Sequence, residues 1–188
     1  MTTINPAKIS TNRLDLIAAT LEHVLAELKS LQSLASLLRA EVADGWPPGE
    51  YDRSAQEFFR DRLKEGGHTV VGWYGWYAVR RGDTNRRSVL VGAAGYFGPP
   101  NEQGEVEIGL SVMPAWREQG FATEIVRALI ENAFNDPRVN KIIAHTTPAN
   151  VASCRLLEKC GFLYVGKDGP PGNILYELPR QRSQSQKA

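Results

Sequence analysis

Residues 117–126 read REQGFATEIV and join two sequence patterns of different period. Before them, GEVEIGLSV (104–112) alternates between apolar and polar residues, which is typical of a strand with one apolar face. After them, apolar side chains over 122–133 recur at the i, i+3, i+4, i+7 spacing of an amphipathic helix. Pro114 cannot donate to a strand ladder, so it ends the strand. The quoted stretch is therefore predicted to lead from a strand into a helix.

The composition limits the class of protein. The 188 residues are 42% hydrophobic and 23% charged, which are ordinary values for one globular domain. The net charge of +1 gives no general attraction to nucleic acid or to a membrane surface. No apolar run approaches the ~20 residues of a membrane helix, and the first ten residues lack the apolar core of a secretory signal. We expect a cytoplasmic protein without nucleic-acid or membrane partners; its oligomeric state stays open.

The order of predicted elements is β-α-α-α-β-β-β-α-β-α-β-β, which indicates an α+β fold with a mixed sheet. No repeat or long linker divides the chain, so we expect a single domain over residues 8–179. Residues 180–188 are polar and are predicted to form a disordered tail. The aromatic run WYGWY (73–77) lies in a predicted strand, where alternation sends its rings into the packing of both sheet faces.

The cysteines and histidines do not predict a metal site. Cys154 and Cys160 lie six residues apart in a predicted helix, so they point in different directions and are expected to be reduced thiols. With His145 as the nearest histidine, a zinc site would be at least one ligand short. His23 and His68 are expected at the surface, whereas His145, near the end of a predicted strand, is a candidate contact for a substrate.

The turn at 117–123 has the features of a phosphate site. A helix start leaves unpaired N–H groups and about half a positive charge at that end. Gly120 and Ala122 would let an anion approach the backbone closely, and Arg117 adds a forked cation suited to phosphate oxygens. The chain lacks both the triphosphate-binding loop and the three spaced glycines of dinucleotide sites. On spacing alone, an ordinary helix start with a packing glycine and a solvated arginine stays equally open.

Two segments together resemble the GNAT acyltransferase family. VMPAWREQGFATEIVRALIENAF (112–134) resembles its acetyl-coenzyme-A signature, in which Arg/Gln-x-x-Gly-x-Gly/Ala follows a strand. PANVASCRLLEKCGF (148–162) resembles the second family element, a helix that Asn150 opens. The opening TNRL (11–14), the Trp-Pro-Pro loop (46–48) and this second helix are most similar to the ribosomal-protein N-terminal acetyltransferase branch.

The resemblance implies a GNAT-like mixed, mostly antiparallel sheet flanked by helices, whose fourth and fifth strands splay apart. Acetyl-coenzyme A would be the co-substrate, with its pantetheine arm between these strands and its pyrophosphate on the quoted turn. The Trp46–Pro48 loop would either shape the acceptor entrance or act as a hydrophobic plug over the sheet edge. The residues implied in coenzyme binding are Val112, Met113, Arg117, Gln119, Gly120, Phe121, Ala122, Thr123 and Asn150.

The family chemistry is direct transfer to an amine, which needs a base for the amine and an acid for the leaving thiolate. Glu107, on the polar strand face before the splay, is the candidate base; a surface carboxylate or a structural partner of a basic residue is the alternative. Many relatives carry a tyrosine as acid where this chain has Leu157. Ser153, one turn after Asn150, is therefore the candidate acid, unless it is only a helix-surface serine.

The predicted function is acetyl transfer from acetyl-coenzyme A to a primary amine, either a protein N-terminus such as that of a ribosomal protein or a small molecule. Leu157 keeps open a second hypothesis, a non-catalytic acyl-coenzyme-A sensor or interaction module. A third, a nucleotide- or nucleic-acid-binding protein, is disfavoured by the near-zero net charge and the missing triphosphate loop.

Overall fold

The computed structural model describes residues 7–181, which form one eight-stranded sheet with helices on both faces. The strands are β1 (Lys8–Ser10), β2 (Leu14–Ala18), β3 (Gly75–Arg80), β4 (Val89–Tyr96), β5 (Glu105–Val112), β6 (Lys141–Thr146), β7 (Leu163–Lys167) and β8 (Ile174–Pro179). Their spatial order is β1-β2-β3-β4-β5-β6-β8-β7, and β5–β6 is the one parallel pair among them. The predicted mixed, mostly antiparallel α+β fold is confirmed.

Five α-helices occur in the described residues: α1 (Leu21–Lys29), α2 (Leu31–Leu38), α3 (Arg53–Gly66), α4 (Phe121–Phe134) and α5 (Val151–Lys159). The first three pack on one sheet face and the last two on the other. Trp76 and Tyr77 follow one another in β3, are 2% and 1% exposed, and belong to different cores. The prediction that the aromatic run packs on both faces of the sheet is thus confirmed.

Three local predictions need correction. β1 is an additional strand, so the predicted fourth and fifth strands are β5 and β6. Residues Gly67–Val70 form a 3₁₀ helix, and β3 begins only at Gly75. His23 is buried rather than at the surface: its ring centroid lies 5.9 Å from that of Tyr77, and its Nδ1 lies 2.7 Å from Thr20 Oγ1 in a capping box at the start of α1.

Arg180, the first residue of the predicted tail, is hydrogen-bonded to backbone groups of the domain. Its N–H donates to the carbonyl of Asn140 at 2.8 Å. Its guanidinium donates to three further carbonyl oxygens, those of Phe134, Asp136 and Val139, at 2.7–2.8 Å. The rest of that tail, residues 182–188, lies outside the described residues.

Candidate active site

A gap opens between β5 and β6. The two strands pair at Glu105–Lys141, Val106–Ile142 and Glu107–Ile143, and the pairing stops there although both strands continue. Beyond Glu107, the edge of β5 therefore has no strand beside it on the β6 side. The predicted splay is confirmed, and Glu107 is the last paired residue before it.

Backbone hydrogen bonds show which groups of β5 face the gap. The Glu107 carbonyl accepts from the Phe97 N–H at 3.1 Å, and the Met113 N–H donates to the Val91 carbonyl at 2.9 Å, so both point toward β4. Successive strand residues direct their backbone groups to opposite edges. The residues whose backbone groups face the gap are therefore Ile108, Leu110 and Val112.

Val112 and Met113 are both predicted to bind pantetheine, but their backbone groups face opposite edges of β5. Val112 faces the gap, and its carbonyl also accepts from Arg117 Nε at 3.0 Å. Both backbone groups of Met113 are bonded within the chain, since its carbonyl accepts from the Trp116 N–H at 2.9 Å. The structure therefore brings Val112 to the gap and turns Met113 away from it.

Two helices begin at the open end of the gap. Because β5 and β6 are parallel, their carboxyl ends lie at the same edge of the sheet. α4 follows β5 and α5 follows β6, and the two helices pack against each other on the same face. Their N-termini, with the partial positive charge of each helix, therefore lie at the mouth of the gap.

The first turn of α4 is open to an anion. Gly120 precedes it in the left-handed conformation, with φ of +82°, and no side chain caps the helix. The first N–H groups of a helix have no intrahelical partner, so those of Phe121, Ala122 and Thr123 are available to a ligand. This geometry fits the predicted pyrophosphate site.

Two arginines, Arg117 and Arg13, lie around this turn. Arg117 turns back and braces the end of β5 through Val112. Arg13 instead lies at the start of α4: its Nη1 donates to the Gln119 carbonyl at 2.9 Å, and its guanidinium lies 4.2 Å from the Phe121 ring centroid. Glu124 holds Arg13 in place through Nε at 2.8 Å.

Asn150 and Ser153 lie together at the start of α5. Asn150 Oδ1 accepts from the Ser153 N–H at 3.1 Å and so caps the helix. Ser153 is half-buried in the first turn, and Asn150 is exposed. Leu157, one turn further, is 3% exposed and packs in the core. The position where many relatives carry a tyrosine therefore holds an apolar core side chain in this chain.

Glu107 is hydrogen-bonded to a histidine that sequence reasoning did not pair with it. Glu107 Oε1 lies 2.8 Å from Nδ1 of His145 on β6, and Asp168 Oδ2 lies 3.3 Å from Nε2 of the same ring. Partial burial acts to lower the pKa of His145, but its hydrogen bonds and charge interactions with Glu107 and Asp168 outweigh this and raise it. Protonation of His145 therefore places a positive charge beside the candidate base Glu107.

Beside the gap lies a cavity of about 120 Å³, which we call the β4–β5 pocket. It lies on the α1–α3 face, where Glu107, Gly109 and Ser111 alternate along β5. Its lining residues are Glu50, Tyr51, Ala55, Phe59, Ala93, Ala94, Gly95, Tyr96, Phe97, Gly109, Leu110 and Ser111.

A buried carboxylate fixes the loop beside this pocket. Glu27 Oε1 accepts from Trp46 Nε1 at 2.5 Å and from Gln56 Nε2 at 3.0 Å. Its Oε2 accepts from the hydroxyls of Tyr51 and Tyr77 at 2.9 and 2.7 Å. Burial raises the pKa of Glu27, although the four donors act against that rise. Trp46 is 5% exposed, which favours the plug over a direct role at the entrance.

Long-range pairing explains which site residues the sequence did not reveal. Arg13 and Gln119 are 106 residues apart, and Glu107 and His145 are 38 apart. Local spacing carries no signal for either pair; the Arg13 segment was visible only as the TNRL opening.

Among residues 7–181, no group of three or more His, Cys, Asp or Glu is arranged to hold a metal ion. Within the same range, no helix is long and apolar enough to span a membrane.

Comparison with known proteins finds one family along most of the chain. A family model described as an acetyltransferase (GNAT) domain matches residues 13–163. The uncharacterised N-acetyltransferase YjdG of Bacillus subtilis strain 168 is 29% identical over 168 residues, which are 89% of this chain and 96% of YjdG.

Solved structures that share the fold include two acetyltransferases of different kinds. The ribosomal-protein-S5-alanine acetyltransferase of Vibrio fischeri aligns with a TM-score of 0.63 at 15% identity, over 92% of this chain and 96% of its own. The aminoglycoside acetyltransferase AAC(6')-Ib, in complex with paromomycin and acetyl-coenzyme A, aligns with a TM-score of 0.60 at 23% identity. That alignment covers 94% of this chain and 100% of the other.

Proposed function

The chain belongs to the GNAT family of acetyl-coenzyme-A-dependent N-acetyltransferases, and we propose how its own residues carry out the transfer. The pantetheine arm lies in the gap, bonded to backbone groups of Leu110 and Val112. The pyrophosphate lies on the free N–H groups at the start of α4, between Gly120 and Thr123. The observation that carries this proposal is the parting of β5 from β6 directly below an uncapped helix N-terminus.

The other predicted contacts follow from this placement. The Arg117 Nε donates to the Val112 carbonyl, which holds this side chain at the end of β5, and its Nη groups are assigned to the pyrophosphate. Arg13, the residue that the sequence did not single out, lies at the same turn, bonded to the Gln119 carbonyl and to Glu124, and adds a second cation beside the pyrophosphate. Gln119 contributes backbone at the same turn, and Asn150 contacts the pantetheine arm from α5.

The reaction uses both faces of the sheet. The amine approaches from the α1–α3 face and attacks the thioester carbonyl, forming a C–N bond, while the C–S bond breaks and the thiolate leaves. Glu107, on that face, accepts the amine proton directly or through water. Backbone N–H groups that face the gap polarise the carbonyl oxygen. Ser153, on the opposite face at the start of α5, donates a hydrogen bond to the leaving sulfur.

The acceptor is a primary amine, of a small molecule or of a peptide N-terminus. The neighbour bound to paromomycin supports a small-molecule acceptor, and the ribosomal-protein neighbour supports a peptide. The half-buried free thiols Cys154 and Cys160 support a reducing, cytoplasmic location.

Coenzyme binding tests the proposal directly. At a hundredfold excess over its dissociation constant, acetyl-coenzyme A should stabilise the protein by about 2.7 kcal/mol, seen as a rise in melting temperature. ATP, the control ligand, should stabilise much less at equal concentration, because its triphosphate lacks the pantetheine arm that fills the gap. A larger shift with ATP would contradict the proposed coenzyme site.

A further inference from the structure

The β4–β5 pocket is lined mainly by apolar groups, with Glu50 and Ser111 among its polar ones. Phe59 and Ala93 line it from the α1–α3 face, and Phe97, another lining residue, is 50% exposed. An apolar cavity of about 150 Å³ is large enough to hold one benzene ring. At about 120 Å³ this pocket is smaller, but it is open to solvent on one side, so a single ring or a branched aliphatic group fits with one edge outside.

The pocket adjoins the proposed reaction centre. Leu110 belongs to both, since its backbone faces the gap and the residue also lines the pocket. Gly109, another lining residue, lies two positions from Glu107 on the same face, a distance of about 7 Å along the strand. A group seated in the pocket would therefore leave an attached amine within a few bonds of Glu107.

Exposed aromatic rings extend the apolar surface outward from the pocket. Phe58 is 41% exposed, and its ring centroid lies 5.6 Å from that of Phe59. Phe59 in turn lies 6.4 Å from Phe97, so the three rings form a continuous patch beside the opening. A contiguous apolar patch of this kind is typical of a surface that contacts a ligand or partner, whereas a single exposed ring is not.

The charge at the pocket favours a cationic amine over a polyhydroxylated one. Glu50 is the one carboxylate among the lining residues, and that lining contains no Lys, Arg or His. A protonated amine is attracted to this rim, whereas hydroxyl groups placed against Phe59 and Ala93 would lose water without gaining hydrogen-bond partners.

We propose that the acceptor is a small primary amine that carries an apolar ring or branched aliphatic group, with that group seated in the β4–β5 pocket. This inference rests on the proposed function, because it uses Glu107 as the point toward which the amine is directed. It distinguishes this chain from an enzyme for polyhydroxylated sugars or for peptide N-termini with small first residues.

A panel of amines tests the acceptor class. Phenethylamine, ethylamine, kanamycin and a short peptide with N-terminal alanine are compared by thiol release from acetyl-coenzyme A. The kcat/KM for phenethylamine should exceed that for ethylamine at least tenfold, since a single methylene in an apolar pocket is already worth about 10–200-fold. A higher kcat/KM for kanamycin or the peptide, or no acetylation of phenethylamine by protein shown to bind the coenzyme, would overturn the inference.

Matched variants on α3 test the pocket itself. Ala55→Leu fills the pocket from the helix, and Ser54→Leu adds the same bulk at the neighbouring, exposed position outside the lining. The first should lower kcat/KM for phenethylamine at least tenfold and spare ethylamine, which is too small to fill the cavity. The second should leave both unchanged. Equal losses for both amines in Ala55→Leu, or no loss, would refute the assigned seat.

Equilibrium binding separates this inference from the proposed function. Saturation-transfer NMR with coenzyme A present reports whether phenethylamine contacts the protein without any turnover. If Ala55→Leu abolishes this binding, the pocket is supported. That conclusion holds even if Glu107→Gln keeps the parent rate, because such a rate would reject only the role of Glu107 as base. Binding that Ala55→Leu leaves intact rejects the pocket whatever the role of Glu107.

Discussion

Replacing Glu107 with glutamine should separate catalysis from stability at this site. The amide keeps the size of the carboxylate but cannot accept the amine proton, so turnover should fall by about 10²–10⁴-fold. At ~1.36 kcal/mol per tenfold, this corresponds to roughly 2.7–5.4 kcal/mol of lost transition-state stabilisation. The side chains of His145 and Glu107 are 22% and 33% exposed, so loss of their pairing should lower the free energy of unfolding by at most about 1 kcal/mol.

Glu105 provides the matched control on the same strand and face. Its carboxylate lies 2.7 Å from Lys141 Nζ, and the two side chains are 28% and 29% exposed, so Glu105→Gln should cost a similar, small amount of stability. Glu105 lies where β5 and β6 are still paired, two residues before the gap opens. Its replacement should leave turnover unchanged.

Three measurements on both variants decide the outcome: thiol release with acetyl-coenzyme A and a primary amine, the coenzyme Kd by calorimetry, and the thermal unfolding midpoint. The Kd should match the parent in both variants, since neither carboxylate is assigned to the coenzyme. Parent-like turnover in Glu107→Gln, or an equal loss in the two variants, would refute the reasoning. Positioning and desolvation would then drive the transfer.

Three further perturbations address the coenzyme turn, the histidine and the buried carboxylate. Gly120→Val places a branched side chain at a residue with φ of +82° and in the path of the pyrophosphate. Calorimetry should show severely weakened coenzyme binding while the fold is retained. A Kd like that of the parent would mean that this turn does not bind the coenzyme. Turnover of the parent protein should rise with pH through the raised pKa of His145, because deprotonation of the ring removes the positive charge beside Glu107. In His145→Gln, the rise in kcat should occur at lower pH. Identical kcat profiles for the parent and the variant would contradict this. The stability that protonated His145 contributes should be present below about pH 6.5 and lost as pH rises through its raised folded-state pKa, a loss absent from the variant's unfolding curves. Glu27→Ala leaves four buried donors without their acceptor and should lower the free energy of unfolding by about 3 kcal/mol or more in urea titrations; a loss below about 1 kcal/mol would mean that water replaces the carboxylate.

The coenzyme half of the site was largely predictable, because its parts are local. The strand, the turn at Gly120 and helix α4 follow one another within a single segment, and each has its own period or residue requirement. The hydrogen bonds made by Arg117 and Met113 were not predictable in this way. Spacing placed both beside the ligand, but it could not show that the Arg117 side chain turns back to Val112 or that both Met113 backbone groups are already bonded.

By itself, the sequence determined the periods of the helices and strands, the turn between β5 and α4, and the polar face that carries Glu107. These properties depend on short runs of neighbouring residues, so they can be read without knowing what packs against them. Only the tertiary structure decided where β5 parts from β6, that His145 meets Glu107, and that β4, β5 and α3 enclose an apolar pocket. Those outcomes depend on register between strands distant in sequence, and a slip of one residue would turn every side chain of a strand to the opposite face.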